Sequence, residues 1–314
     1  MGRSLIKARK KLAYSRCAHY RCGVNKHTGS CQSANAKAGL LWHSIAARCQ
    51  GSSHFENSQP CQDQTYCKLF DNGVYVVALA DGAGSAKFSH YGAYLAVSKA
   101  AEIIAAKFNE AFQEKTAESF SENLVSYLQR QLLGLSKIGI NLDETERVIY
   151  NKQNRGTQLL VPCDTRDLSS TLLLVAIKNG RYLAAHLGDG VIGVERYIAN
   201  GKRTIETLSK PDNGEFSNVT IFTTSSMAKN FIRIYTGQLD NPCSQVTGFI
   251  LMSDGPEHAL YRKSSNTLAP ACSKLINACR NLQKNTAEEK LESTIKNVIA
   301  KKTNDDCSIA ILAR

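Results

Sequence analysis

The stretch STLLLVAIKNGRYLAAHLGDGVIGVERY, residues 170–197, decides the fold. It holds three short apolar runs, 170–177, 182–187 and 191–197, broken by Asn179-Gly180 and by Gly188-Asp189-Gly190. Short runs rich in Val, Ile, Leu and Tyr read as strands, and Asn-Gly or Gly-Asp-Gly between them supplies turn residues. The spacing predicts an antiparallel meander. Working outward, similar runs predict strands at 42–48, 65–70, 74–80, 219–223, 231–235, 248–252 and 307–312. Between them the period changes. Ala93, Ala96, Val97, Ala100 and Ile104 recur at helical spacing, predicting a helix over 89–108 with Ser89 as its N-cap. Further helical patterns cover 117–133, 143–151 and 268–301. Strands and helices come in blocks rather than in alternation, which points to an α+β fold with antiparallel sheets.

Apolar residues make up 43% of the chain, enough for a substantial core. The longest apolar run, 74–80, falls far short of the roughly 20 residues a helical membrane span needs, so no such span is expected. Charge is placed unevenly. No Asp or Glu precedes Glu56, whereas ten Lys and Arg residues do, from Arg3 to Arg48. Nine of those ten lie in a leader, residues 1–40, so most of the formal net charge of +12 belongs there rather than to the domain expected at 41–314. That leader is polar and aperiodic, so it is expected to be disordered; its charge would suit nucleic acid, anionic lipid or a transit-like address. It lacks the apolar segment of a secretory signal, and Ile6 stands where a myristoylation signal needs Ser or Thr. Eleven scattered cysteines fit reduced thiols and a cytoplasmic location better than a disulfide framework. Cys17, Cys22, His27 and Cys31 offer zinc-ligand types at a spacing that matches no common finger.

The chemistry-bearing residues share a pattern. Asp81, Asp189 and Asp254 each end or follow an apolar run and each is followed by Gly; Asp63 precedes the run at 65–70, and Asp305-Asp306 precede the last one. Asp-Gly steps serve as simple turns in many chains. Aspartates at several strand ends, however, can converge on one side of a sheet, and carboxylate oxygens are what Mg²⁺ or Mn²⁺ requires.

The strings PCQD (60–63), VVALADGAGSA (76–86), SSTLLLVAI (169–177), AAHLGDGVIGV (184–194), GFILMSDG (248–255) and NDDCSIAIL (304–312) occur in the order and approximate spacing of the metal-dependent, type 2C protein phosphatases. The chain resembles that family from about Trp42 to its end. It is most similar to a bacterial branch with a GxSH opening, here Gly51 to His54, and a P-x-x-G-E-F-x-N segment, here Pro211 to Asn218. The resemblance implies a four-layer α-β-β-α sandwich and hydrolysis of phosphoserine or phosphothreonine in proteins. It also implies two Mn²⁺ or Mg²⁺ ions, with a third, weaker one. On that likeness Asp81 bridges both ions, the Gly82 carbonyl adds a ligand, and Asp254 and Asp305 complete the first site. Asp63 holds water at the second, and Asp189 with Asp254 holds the third. Asp305 is preferred to Asp306 because Cys307-Ser308 align with the family's ending. A partner kinase is expected by the same likeness, and no membrane.

The chain departs from the family in three places. Ser58 stands where many relatives carry a phosphate-gripping Arg, leaving His54 as a candidate donor to phosphate. Ala83 replaces a His found in some relatives, and Gln62 replaces a metal-binding Glu. Glu257 is a candidate support for the metals' water shell. The missing Arg motivates a competing reading, a pseudophosphatase that binds phosphoproteins without turnover. No cysteine is followed at the sixth position by the Arg of a thiol phosphatase, and Phe88 spoils a phosphate-loop reading of Gly82 to Lys87.

Overall fold

A computed structural model describes residues 41–154, 159–198, 201–212 and 220–314. The leader with its Cys17, Cys22, His27 and Cys31 cluster lies outside the described residues, as do residues 213–218 of the P-x-x-G-E-F-x-N segment and residue 219 of the strand expected at 219–223.

Two antiparallel sheets face each other. One is built, in spatial order, from β1 (His43–Cys49), β13 (Cys307–Ala313), β10 (Ser244–Met252), β6 (Val191–Ile198) and β7 (Arg203–Ser209), with the short β9 (Asp240–Asn241) on β10. The other is built from β2 (Gln64–Leu69), β3 (Tyr75–Ala80), β4 (Leu172–Lys178), β5 (Arg181–Leu187) and β8 (Arg233–Gln238). A small hairpin, β11 (Tyr261–Arg262) and β12 (Thr267–Leu268), stands apart. The main helices are α1 (Ser52–Glu56), α2 (Ser89–Lys107), α3 (Glu114–Ile138), α4 (Glu144–Asn154), α5 (Pro270–Asn281) and α6 (Lys284–Thr294).

The layers follow from the two-residue period of a strand. On β3, Val77 and Leu79 enter the core between the sheets with Leu173, Val175, Phe249 and Leu251. Val76, Ala78 and Ala80 face the other way, against Ala93 and Val97 of α2 and Leu124 of α3. On the opposite sheet Ile250, Ile309 and Ile311 pack outward against Ile276 of α5 and Leu291 of α6. Strands covered on both faces need apolar residues at every position, which is why they read as unbroken runs. Each fully buried Leu or Phe contributes roughly 1.5–3 kcal/mol. The result is the α+β, four-layer α-β-β-α sandwich. Among the described residues no helix is long and apolar enough to cross a membrane.

Several expectations need correction. The three runs at 170–197 are not one meander: β4 and β5 pair, but β6 leaves for the other sheet and pairs with β10. Residues 220–223 form no strand; the Thr223 N–H donates to the Ser170 carbonyl, and Gln129 Nε2 donates to the Thr223 carbonyl. Ser89 is the first residue inside α2, with Phe88 in the cap position.

Candidate active site at the sheet ends

Strand pairing brings the acids together. Gln64 lies opposite Ala80, so Asp63 and Asp81 are neighbours at one end of the second sheet. In the first sheet Met252 pairs with both Val191 and Ile309, which puts Asp254 beside Asp189 on one flank and Asp305 on the other. The β5–β6 link carries Asp189 from sheet to sheet. Backbone contacts lock these ends: Asp81 N–H donates to Thr171 Oγ1 at 2.9 Å, and Thr171 N–H donates to the Asp81 carbonyl at 2.8 Å. The glycines after the aspartates are there for closeness rather than for turning. A Cβ on Gly255 would lie 2.0 Å from the Asp306 carbonyl oxygen, and one on Gly82 would lie 2.8 Å from Ser89.

A cleft of about 490 Å³ opens at this end, with Gln62, Asp81, Gly82, Asp189, Asp254 and Asp305 on its walls. Asp63 is fully buried and does not line it. Its Oδ2 accepts from Ser253 Oγ at 2.7 Å, while Oδ1 has no partner. Burial, and then the nearby Asp306 charge, raise the Asp63 pKa to about 8, the Ser308 and Ser253 hydroxyls opposing the rise. Burial raises Asp81 well above the carboxylate range, helped by Asp63, Asp254, Asp189 and Asp305 in that order. Asp254 rises to about 7 through burial and through Asp189 and Asp305. The aspartates from five separate strand ends therefore repel one another across a single site.

Do these residues fit a divalent cation? Among the described residues no three His, Cys, Asp or Glu side chains close on one point as a ready-made cage. Asp254 and Asp81 approach each other closely as a side-chain pair, and hard cations complete their shells with carbonyls and water. The donor chemistry does fit. Every donor is an oxygen, and the buried Oδ1 atoms of Asp63 and Asp254 and Oε1 of Gln62 lack any protein partner. Unsatisfied buried oxygens of this kind cost free energy that a cation removes.

The sequence left Asp306 aside, and the structure gives it a role. Asp305 is exposed on the cleft wall, its Oδ1 accepting the Asp306 N–H at 2.8 Å. Asp306 points inward instead. Its Oδ1 accepts from Gly51 N–H at 2.7 Å and its Oδ2 from Gln62 N–H at 2.5 Å, with His54 Nδ1 2.9 Å from Oδ2. Arg48 lies in β1, within the strand expected at 42–48, and its Nη1 donates to the Asp63 carbonyl at 2.6 Å. Glu257 is buried and paired with Lys263 at 2.6 Å. Asp189 Oδ2 accepts from Thr220 Oγ1 at 2.6 Å.

The family model described as protein phosphatase 2C matches residues 50–296. The chain belongs to the protein phosphatase 2C family. It is thereby a protein-serine/threonine phosphatase by class. The match stops short of Asp305, which β13 carries to the cleft of this 2C-type phosphatase. Among solved structures, the serine/threonine phosphatase Stp1 from Staphylococcus aureus is 12% identical with a TM-score of 0.53, covering 90% of this chain and 99% of that one. A bacterial serine phosphatase is 12% identical with a TM-score of 0.51, covering 86% and 96%. At such identity the likeness is one of fold. No curated protein sequence matches the phosphatase significantly.

Proposed function

We propose that this cleft hydrolyses phosphate monoesters on protein serine and threonine residues, using Mn²⁺ or Mg²⁺ held by Asp81, the Gly82 carbonyl, Asp254 and Asp305. The observation that carries this reading is the convergence of five aspartates at one site, with the buried Oδ1 atoms of two of them, Asp63 and Asp254, lacking a hydrogen-bond partner among the described residues. When bound, such cations supply the Lewis-acid charge that ionises water near neutral pH and offsets charge on the phosphoryl oxygens. The chain's own groups set the geometry. Asp81, pinned by Thr171 at the end of β3, gives the cluster a fixed centre. Asp63 exerts the largest charge effect on Asp81, and its free Oδ1 is the acceptor for a water beside it. Asp189 and Asp254 stand together as the candidate third, weaker cation position.

Purified full-length protein loaded with Mn²⁺ should hydrolyse p-nitrophenyl phosphate and phosphothreonine peptides, and Asp81→Asn or Asp254→Asn should abolish turnover. Calorimetric Mn²⁺ binding with no turnover of any phosphopeptide would instead assign the fold to a phosphoprotein-binding regulator.

A further inference from the structure

A phosphate monoester is a dianion, and the walls that meet it here are acidic. Asp81, Asp189, Asp254 and Asp305 line the cleft, and no Lys or Arg stands among its described lining residues. His54 is the one lining side chain able to carry positive charge. It projects from α1 with 12% of its side chain exposed and Nδ1 against Asp306. Asp306 does not depend on that contact, since Gly51 and Gln62 N–H groups already occupy its two oxygens. Nor is the contact an aligned hydrogen bond, because Nδ1 satisfies no donor geometry. A clasp that merely held α1 would need neither a titratable ring nor a place on the cleft wall; the Ser53 N–H to Asn304 carbonyl bond already ties the turn down. The carboxylate behind the ring keeps it at the wall, and no described protein group bonds Nε2.

We infer that His54, backed by Asp306, grips the substrate phosphate by donating from Nε2 to a phosphoryl oxygen. The inference rests on the phosphatase reading above and names the side chain that takes over from the Arg absent at Ser58. A ring N–H facing an anionic phosphoryl oxygen makes a charge-assisted hydrogen bond, roughly twice as strong as a neutral one. His54 is thus a binding residue, and its removal should act on phosphate affinity before it acts on cation affinity.

The test is calorimetric titration of inorganic phosphate into the full chain loaded with Mn²⁺, each protein first being titrated with Mn²⁺. His54→Ala should bind phosphate roughly 10-fold or more weakly, with Mn²⁺ affinity unchanged. His54→Arg, which restores a cation, should recover most of the lost affinity. Equal phosphate affinity in wild type and His54→Ala overturns the grip, as does a loss matched by lost Mn²⁺ binding. Should His54→Ala fail to fold, a folded His54→Arg decides: retained phosphate affinity supports the grip, and lost affinity overturns it. If wild type binds phosphate through His54 yet turns over no substrate, the grip stands and the hydrolytic reading falls. If hydrolysis is robust and His54→Ala leaves phosphate affinity and KM unchanged, the reverse holds.

Discussion

In EDTA, the protein should become more stable as the pH falls from about 7 to about 5.5, against the usual trend for carboxylate-rich folds. The sign follows from Asp63 and Asp254, raised to about 8 and about 7 in the folded chain from 3.8. Across that window the unfolded acids have already lost their protons and the folded ones retain theirs. The native state binds more protons than the unfolded one, so stability falls as pH rises from the unfolded value through the folded ones. Each retained proton is worth about 1.4 kcal/mol per pH unit, so one such acid gives roughly 2 kcal/mol over this window. At about 2–4 °C per kcal/mol for a domain of this size, Tm should rise by roughly 4–8 °C for each acid that holds its proton. Thermal unfolding followed by circular dichroism at the two pH values measures this directly. A metal-free Tm that is flat or falls on acidification would show that the aspartates do not crowd one another in the folded chain, and the site would lose its physical basis.

Mn²⁺ should raise Tm at neutral pH, by about 2.7 kcal/mol of added stability at 100 times the dissociation constant, and should flatten the pH slope described above. Asp81→Asn should raise the Tm of the metal-free protein by a few degrees, since it removes an acid whose ionisation burial and four other aspartates oppose, while cancelling most of the Mn²⁺-induced rise; a lower metal-free Tm would contradict the crowding. Gly255→Ala should cost about 1–3 kcal/mol in denaturant unfolding and lower activity, because the new Cβ meets the Asp306 carbonyl and pushes the Asp254 and Asp306 strand ends apart. Iodoacetamide at neutral pH should leave turnover intact: burial raises the Cys61 and Cys307 thiols next to the site, which keeps them protonated and poor nucleophiles. Rapid inactivation by alkylation of either would refute that.

Much of the fold was legible because strands covered on both faces leave an unmistakable apolar run. β3, β4, β5, β10 and β13 are of this kind. β7 escaped notice because its half-exposed sequence, RTIETLS, alternates with polar residues. The β5–β6 link misled for a different reason. Gly188-Asp189-Gly190 is good turn chemistry whether the chain doubles back or crosses to another sheet, and pairing with the distant β10 decides between the two. The same non-locality hid the role of Arg48, which ends the expected strand at 42–48 and reaches the Asp63 carbonyl from β1. The alignment of Cys307-Ser308 already favoured Asp305 over Asp306; what the sequence withheld was the inward role of Asp306, because its partners Gly51 and Gln62 lie 255 and 244 residues away in the chain.

The closeness of the aspartates has an energetic meaning beyond their list of roles. In the metal-free state the cluster works against folding, for burial and repulsion both penalise ionising these acids. A scaffold that only held two sheets together would gain stability from Asn or Ser at Asp81 or Asp254 and lose nothing in packing. Its glycines would also be free to take side chains, whereas Gly82 and Gly255 are forced by backbone and side-chain approach to within 3 Å of where a Cβ would stand. On the proposed reading a cation would offset the repulsion, because the charges that oppose each other would become its ligands. A site that is unfavourable when empty and favourable when filled is what a reversible cation-dependent catalyst requires, and a purely structural end to two sheets does not.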